Sequence, residues 1–147
     1  MIKVLFVCTG NTCRSPMAEG IFRAMLRADG NENIMCQSAG IAALPGQDAA
    51  ENAIKAMAEE NIDISSHESR RISPEEIMTW DVYFVMSETH GYILEKAGVP
   101  RDRIYVSETI DDPFGGDIEV YRKCRDDIKR AVSDFYGKLK AYASRRK

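Results

Sequence analysis

Five residues separate Cys8 from Arg14 in the segment Cys8-Thr9-Gly10-Asn11-Thr12-Cys13-Arg14-Ser15. A thiol attacks as its thiolate, and the planar fork of a guanidinium can hold two oxygens of a phosphoryl group. A loop of this length can curl so that successive backbone N–H groups point inward and bind an anion. A helix beginning directly after it adds free N–H groups and the positive end of its dipole. Gly10 is expected to supply the backbone freedom of the curl. Cys8 would lie at the floor of this cradle, where the N–H dipoles and the Arg14 charge favour thiolate and Ser15 can donate a hydrogen bond to it. The predicted chemistry is attack of the Cys8 sulfur on phosphorus. The group expelled needs a proton, which a carboxylic acid on a loop can supply before activating the hydrolytic water. The segment Ile110-Asp111-Asp112-Pro113-Phe114-Gly115-Gly116 has that character, since Pro113 stiffens it and the glycines free its far side.

These residues need elements to position them. Residues 2 to 7 are a β-rich apolar run, as in a strand buried on both faces. Pro16 stands where a helix accepts proline, in its first turn. Met17, Ile21, Phe22, Met25 and Leu26 follow at helical spacing, and Asp29-Gly30-Asn31 is the stop. Ile34 to Ala39 reads as a short strand. Residues 47–61 are predicted helical, with Ala50, Ile54 and Met57 or Ala58 inward. Ser73-Pro74-Glu75-Glu76 reads as a helix start. Asp81 to Met86 is a third strand, followed by a helix to about Ala97 that Gly98 and Pro100 end. Arg103 to Val106 is a short fourth strand. Beyond Gly115-Gly116, a last helix places Tyr121, Cys124, Ile128, Ala131 or Val132, Phe135, Leu139 and Tyr142 on one face. Strands alternating with helices imply an α/β fold: a three-layer, doubly wound sheet of four parallel strands with helices on both faces. In such sheets ligands bind beyond the carboxyl ends of the strands, so the turn after the first strand is the expected site.

The 147 residues fit one domain, 1–147. No apolar run approaches the roughly 18 residues of a membrane span. The start of the chain lacks a basic stretch and a small-residue cleavage site, so a cytoplasmic protein is expected, with no membrane partner. A net charge of −3 argues against nucleic acid as a partner. The basic tail from Lys138 to Lys147 reads as a solvated helix end complementing the macrodipole. The four cysteines (Cys8, Cys13, Cys36 and Cys124) are expected to stay reduced. No CxxC pair exists and His67 and His90 stand alone, so no metal site is expected. No cofactor is expected either, because loop amides and Arg14 supply the positive field.

The run VCTGNTCRSPMAEG resembles the signature of the low-molecular-weight protein-tyrosine phosphatase family. The resemblance spans the chain, through Ser38-Ala39-Gly40, the His67 segment, DVYFVMSETH and the Asp112-Pro113 loop. It implies a phosphatase acting on phosphorylated proteins through a phosphocysteine on Cys8. It also implies phosphate binding by Thr9, Gly10, Asn11, Thr12, Cys13, Arg14 and Ser15, and Asp112 as general acid. Asn11, Ser15, Ser38 and His67 match positions that hold the loop in shape, while His90 is left without a role. Cys13 matches the partner of a reversible oxidative lock, a Cys8–Cys13 disulfide formed by peroxide. Tyrosine-directed members typically carry a bulky aliphatic residue at the Thr12 position and tyrosines after the Asp-Pro. Here Thr12, Phe114 and Gly115 stand instead, which resembles the bacterial protein-arginine phosphatase branch. A hydroxyl on the pocket wall suits a polar guanidinium better than a phenyl ring. The expectation is therefore a monomer that prefers phosphoarginine, with a phosphotyrosine phosphatase as the alternative. An arsenate reductase needs a further cysteine pair after the third strand, and Met86 to Ala97 has none. A non-catalytic phosphoprotein-binding module would not need all of Cys8, Arg14 and Asp112.

Overall fold

A computed structural model describes residues 1–145. The first apolar run forms β1 (Ile2–Cys8), flanked in the parallel sheet by β2 (Ile34–Gly40) and β3 (Val82–Val85), with β4 (Ile104–Val106) outside β3. The strand order β2-β1-β3-β4 makes the fold a doubly wound α/β sheet, and its switch point lies between the exits of β1 and β3. Alternate residues of β1 face opposite layers. Val4 and Phe6 join Phe84 and Met86 in a core with α1 (Arg14–Ala28), α2 (Glu51–Ala58) and α4 (Ile118–Arg145). Leu5 and Val7 join Tyr83 and Val85 in a smaller core, with Leu94 of α3 (Glu88–Lys96) and Trp80. Both faces are covered, which is why the strand sequences are continuously apolar. Phe6 fixes the larger core, with ring centroids of Phe84 and Phe22 at 5.1 and 5.4 Å.

Several elements differ from the sequence expectation. Helix α2 is shorter than 47–61 because the residues before it bond elsewhere. Gln47 N–H donates to Ser69 Oγ at 2.9 Å, Asp48 bridges Glu68, and Ala50 N–H donates to the Thr12 carbonyl at 2.9 Å. At the other end Asn61 adopts φ +60°. The buried residues of α2 are Ala53, Ala56 and Met57; Ala50 and Ile54 are half-buried and Ala58 is exposed. The helix start at Ser73 yields one 3-10 turn, Pro74–Glu76. There the Glu76 carboxylate accepts from Ser73 N–H at 2.8 Å, Arg70 at 2.7 Å and Trp80 Nε1 at 3.1 Å, so it clamps a loop rather than opening a long helix. Arg103 belongs to a 3-10 turn (Arg101–Arg103), and β4 begins one residue later. In α4 the stripe drifts: Tyr136 is buried against Phe22 and Tyr142 is 49% exposed. Of the basic tail, Lys138 bridges Asp134 at 3.1 Å and Lys140 bridges Asp29 at 3.4 Å. Arg146 and Lys147 lie outside the described residues. Among the described residues no helix is long and apolar enough to cross a membrane.

Candidate active site

The segment between β1 and α1 curls at the switch point, and its outer bonds dictate what faces inward. The carbonyls of Cys8 and Thr9 accept the N–H groups of Ile41 and Ala42, each at 3.0 Å. The Asn11 carbonyl accepts His67 Nε2–H at 2.7 Å, and the Thr12 carbonyl accepts Ala50 N–H. A trans peptide carries its N–H opposite its C=O. Four outward carbonyls therefore turn the N–H groups of Thr9, Gly10, Thr12 and Cys13 away from those partners, toward the inside of the curl. Successive inward N–H groups at a helix N-terminus make an anion cradle. A cleft of about 260 Å³ opens over them, bounded also by Arg14, Leu44, Gln47, Asp112 and Phe114.

The expectation for Gly10 is corrected. Its φ is not positive, and a Cβ added there would come no closer than 3.8 Å to its nearest neighbour, Thr12 Oγ1. The left-handed residue is Asn11, at φ +57°, a conformation Asn tolerates better than most residues. The glycine that geometry demands is Gly40, at the end of β2, where a Cβ would sit 2.5 Å from the Thr9 carbonyl oxygen.

Asn11 is fully buried and its side chain is saturated. Its Nδ2 donates to Ser15 Oγ at 2.8 Å and to Ser38 Oγ at 3.0 Å, while its Oδ1 accepts from Arg70 N–H at 2.9 Å. The Ser38 hydroxyl in turn donates to Glu19 Oε1 at 2.6 Å. Because Ser15 already accepts from Asn11, its hydroxyl hydrogen is free for Cys8 Sγ, 2.8 Å away. The structure thus brings Asn11, Ser15, Ser38 and His67 together around the loop, with Cys8 buried at its floor.

Arg14 is buried, and its Nη1 is fixed by the Ile110 carbonyl at 3.0 Å. Its Nη2 lies 3.7 Å from Asp112 Oδ2. The Asp112 side chain is half-exposed at the cleft edge, and its Oδ1 accepts Phe114 N–H at 3.1 Å. That bond leaves Oδ2 as the oxygen facing the cleft and Arg14. Asp111 is exposed, and its carbonyl takes a weak bond from Cys124 Sγ at 3.7 Å. Phe114 and Leu44 form an exposed apolar rim, 79% and 66% accessible.

The cysteines divide by environment. Burial pushes Cys36 and Cys124 up to about 12, so both stay protonated and inert. Burial also raises Cys13, against the Tyr121 hydroxyl 3.4 Å from its sulfur. All four thiols are free. The larger cleft, about 670 Å³, opens behind the loop. Its walls include Glu19, Ser38, His67 and Arg70, which support the loop from outside, but not Cys8.

Sequence reasoning missed His90. It is buried, and its Nε2 lies 3.0 Å from the Thr9 hydroxyl. Burial, aided by the Arg14 charge and opposed by Asp112, pulls it down to about 4, so the ring is neutral at pH 7. Its position four residues beyond Met86, the last residue of the apolar third-strand run, was the available signal. Adjacent parallel strands place their exits side by side.

The family model described as low molecular weight phosphotyrosine protein phosphatase matches residues 3–145. A protein-arginine-phosphatase of Bacillus subtilis is 33% identical, over 95% of this chain and 97% of that protein. One from Geobacillus stearothermophilus is 36% identical, over 93% and 95%. Relatives named low molecular weight protein-tyrosine-phosphatase and arsenate reductase also match at 33% identity. The solved structure of the arginine phosphatase YwlE, a mutant with a phosphorylated active site serine, superposes with a TM-score of 0.88 at 32% identity, covering 95% of this chain and 96% of that one. With the matched family model spanning nearly the whole sequence, the chain belongs to the low molecular weight phosphotyrosine protein phosphatase family and is a cysteine-dependent protein phosphatase.

Proposed function

We propose that this phosphatase removes phosphoryl groups from protein arginine in preference to tyrosine, through a phosphocysteine on Cys8. The observation that carries the mechanism is the set of outward carbonyls, which turns the N–H groups of Thr9, Gly10, Thr12 and Cys13 away from those partners in a loop that lines one cleft with Cys8. The phosphoryl oxygens occupy those N–H groups and the free nitrogens of Arg14, whose Nη1 is already held by Ile110. The Cys8 thiolate attacks phosphorus, an S–P bond forms and the P–N bond breaks. The departing guanidine takes its proton from Asp112 Oδ2. Water then attacks phosphorus and gives its proton to Asp112. The S–P bond breaks, and phosphate and the thiolate are released. During attack and departure of the sulfur, Ser15 is placed to hydrogen-bond it.

Thr12 supports the arginine preference. It lines the cleft and offers a hydroxyl where an aliphatic side chain would favour a phenyl ring. Two relatives named as arginine phosphatases, matched over most of both chains, lend weight to this reading. The competing reading, phosphotyrosine, draws on the apolar rim of Leu44 and Phe114, which could flank an aryl group. An arsenate reductase reading lacks its extra thiol pair, since Cys36 and Cys124 are core residues. The direct test of the mechanism is phosphate release from para-nitrophenyl phosphate. It is expected to vanish in Cys8→Ser; turnover persisting in that variant would overturn the assignment of the nucleophile.

A further inference from the structure

Thr9 is gripped from both strands that flank β1. On the β2 side its carbonyl accepts Ala42 N–H, with Gly40 packed directly against it. On the β3 side its hydroxyl meets His90 in the first turn of α3. His90 Nδ1 lies 3.2 Å from the hydroxyl of Ser87, which caps α3 by accepting the His90 backbone N–H at 3.4 Å. Ser87 therefore has its own hydrogen to give, and Nδ1 is the acceptor in reach. This places the single proton of the neutral ring on Nε2, aimed at Thr9 Oγ1. Thr9 then accepts with its oxygen and keeps its hydroxyl hydrogen for a ligand in the cleft whose wall it forms. The charged groups near the ring are Arg14 and Asp112.

We propose that His90 is a positioning residue of the phosphate loop: through Thr9 it holds the first peptide after Cys8 and frees the Thr9 hydroxyl to donate to a phosphoryl oxygen. The inference rests on the Cys8 loop being the phosphate cradle. A neutral imidazole suits the task, since it fixes a donor direction without adding a second cation beside Arg14.

The test measures kcat and KM on para-nitrophenyl phosphate, and inhibition by inorganic phosphate, in wild type, Thr9→Val, His90→Phe, His90→Gln and the Thr9→Val/His90→Phe double variant. Loss of one hydrogen bond to the phosphoryl group corresponds to a rise of roughly fivefold or more in KM and in the phosphate inhibition constant. That rise is expected in both Thr9→Val and His90→Phe, with the double variant no worse than either. His90→Gln, whose side-chain amide can donate to the same oxygen, is expected to recover most of the loss. A merely structural histidine would lower kcat through a smaller folded fraction and leave KM and phosphate inhibition unmoved. That result, or single effects that multiply in the double variant, overturns the inference. Should His90→Phe not fold, the exposed site Thr9→Val decides, and an unchanged KM there overturns it equally. A wild type that neither turns over this substrate nor binds phosphate would instead bring down the cradle reading beneath it.

Discussion

Replacing Asn11 separates two contributions that hold the phosphate loop. The Asn11 side chain makes three hydrogen bonds, two buried ones to Ser15 and Ser38 and a partly buried one from the Arg70 N–H. At about 1 kcal/mol each, their loss costs about 3 kcal/mol. The residue also stands at φ +57°, where a Cβ without a compensating polar group costs about 1 kcal/mol more. Asn11→Ala is therefore expected to lose about 4 kcal/mol, and Asn11→Gly, which escapes the backbone strain, about 3 kcal/mol. For a chain of this size each kcal/mol moves Tm by about 2–4 °C. Urea and thermal unfolding followed by circular dichroism read both variants against wild type. A loss below about 1 kcal/mol in both would refute the buried network, and equal losses in the two would refute the strain assigned to position 11.

Asp112→Asn is expected to lower kcat/KM, which reports formation of the phosphocysteine, by about 10²–10⁴ on a phosphoarginine protein, and less on para-nitrophenyl phosphate, whose leaving anion needs no proton; equal losses in kcat/KM contradict a general-acid role. Thr12→Ile should shift selectivity toward phosphotyrosine, read as the ratio of kcat/KM on the two substrates, and an unchanged ratio removes Thr12 as the determinant. His90 titrates near 4 in the folded chain against 6.5 unfolded, so its contribution leaves stability whole above pH 6.5 and erodes it as pH falls toward 4. About 2 kcal/mol goes by pH 5. The urea midpoint of His90→Gln should accordingly fall less between pH 7 and pH 5 than that of wild type; parallel declines contradict it.

Periodicity and spacing carried the architecture. The apolar run at residues 2–7 and the alternation of strands and helices were enough for a parallel sheet, because a strand buried on both faces has no polar side to show. The ends of α2 were not legible, since Gln47, Asp48 and Ala50 spend their backbone groups on loops distant in sequence. At the site, the Cys8–Arg14 spacing was local and readable. The sequence points to Gly10 for the freedom of the curl because a glycine permits unusual backbone angles without requiring them, while the left-handed conformation falls on Asn11, held by four side-chain and backbone bonds to Ser15, Ser38, His67 and Arg70. His90 and Tyr121 reach the loop only through tertiary packing, across 81 and 108 residues of chain. For His90 the signal in the sequence is its place just past the third-strand run, while nothing adjacent to Tyr121 announces its contact.

The central claim is tested most directly by one side-by-side measurement: kcat/KM of the wild-type enzyme on a phosphoarginine protein and on phosphotyrosine peptides. The higher value is predicted for phosphoarginine, with both activities lost in Cys8→Ser. A higher value on phosphotyrosine would contradict the assignment of substrate.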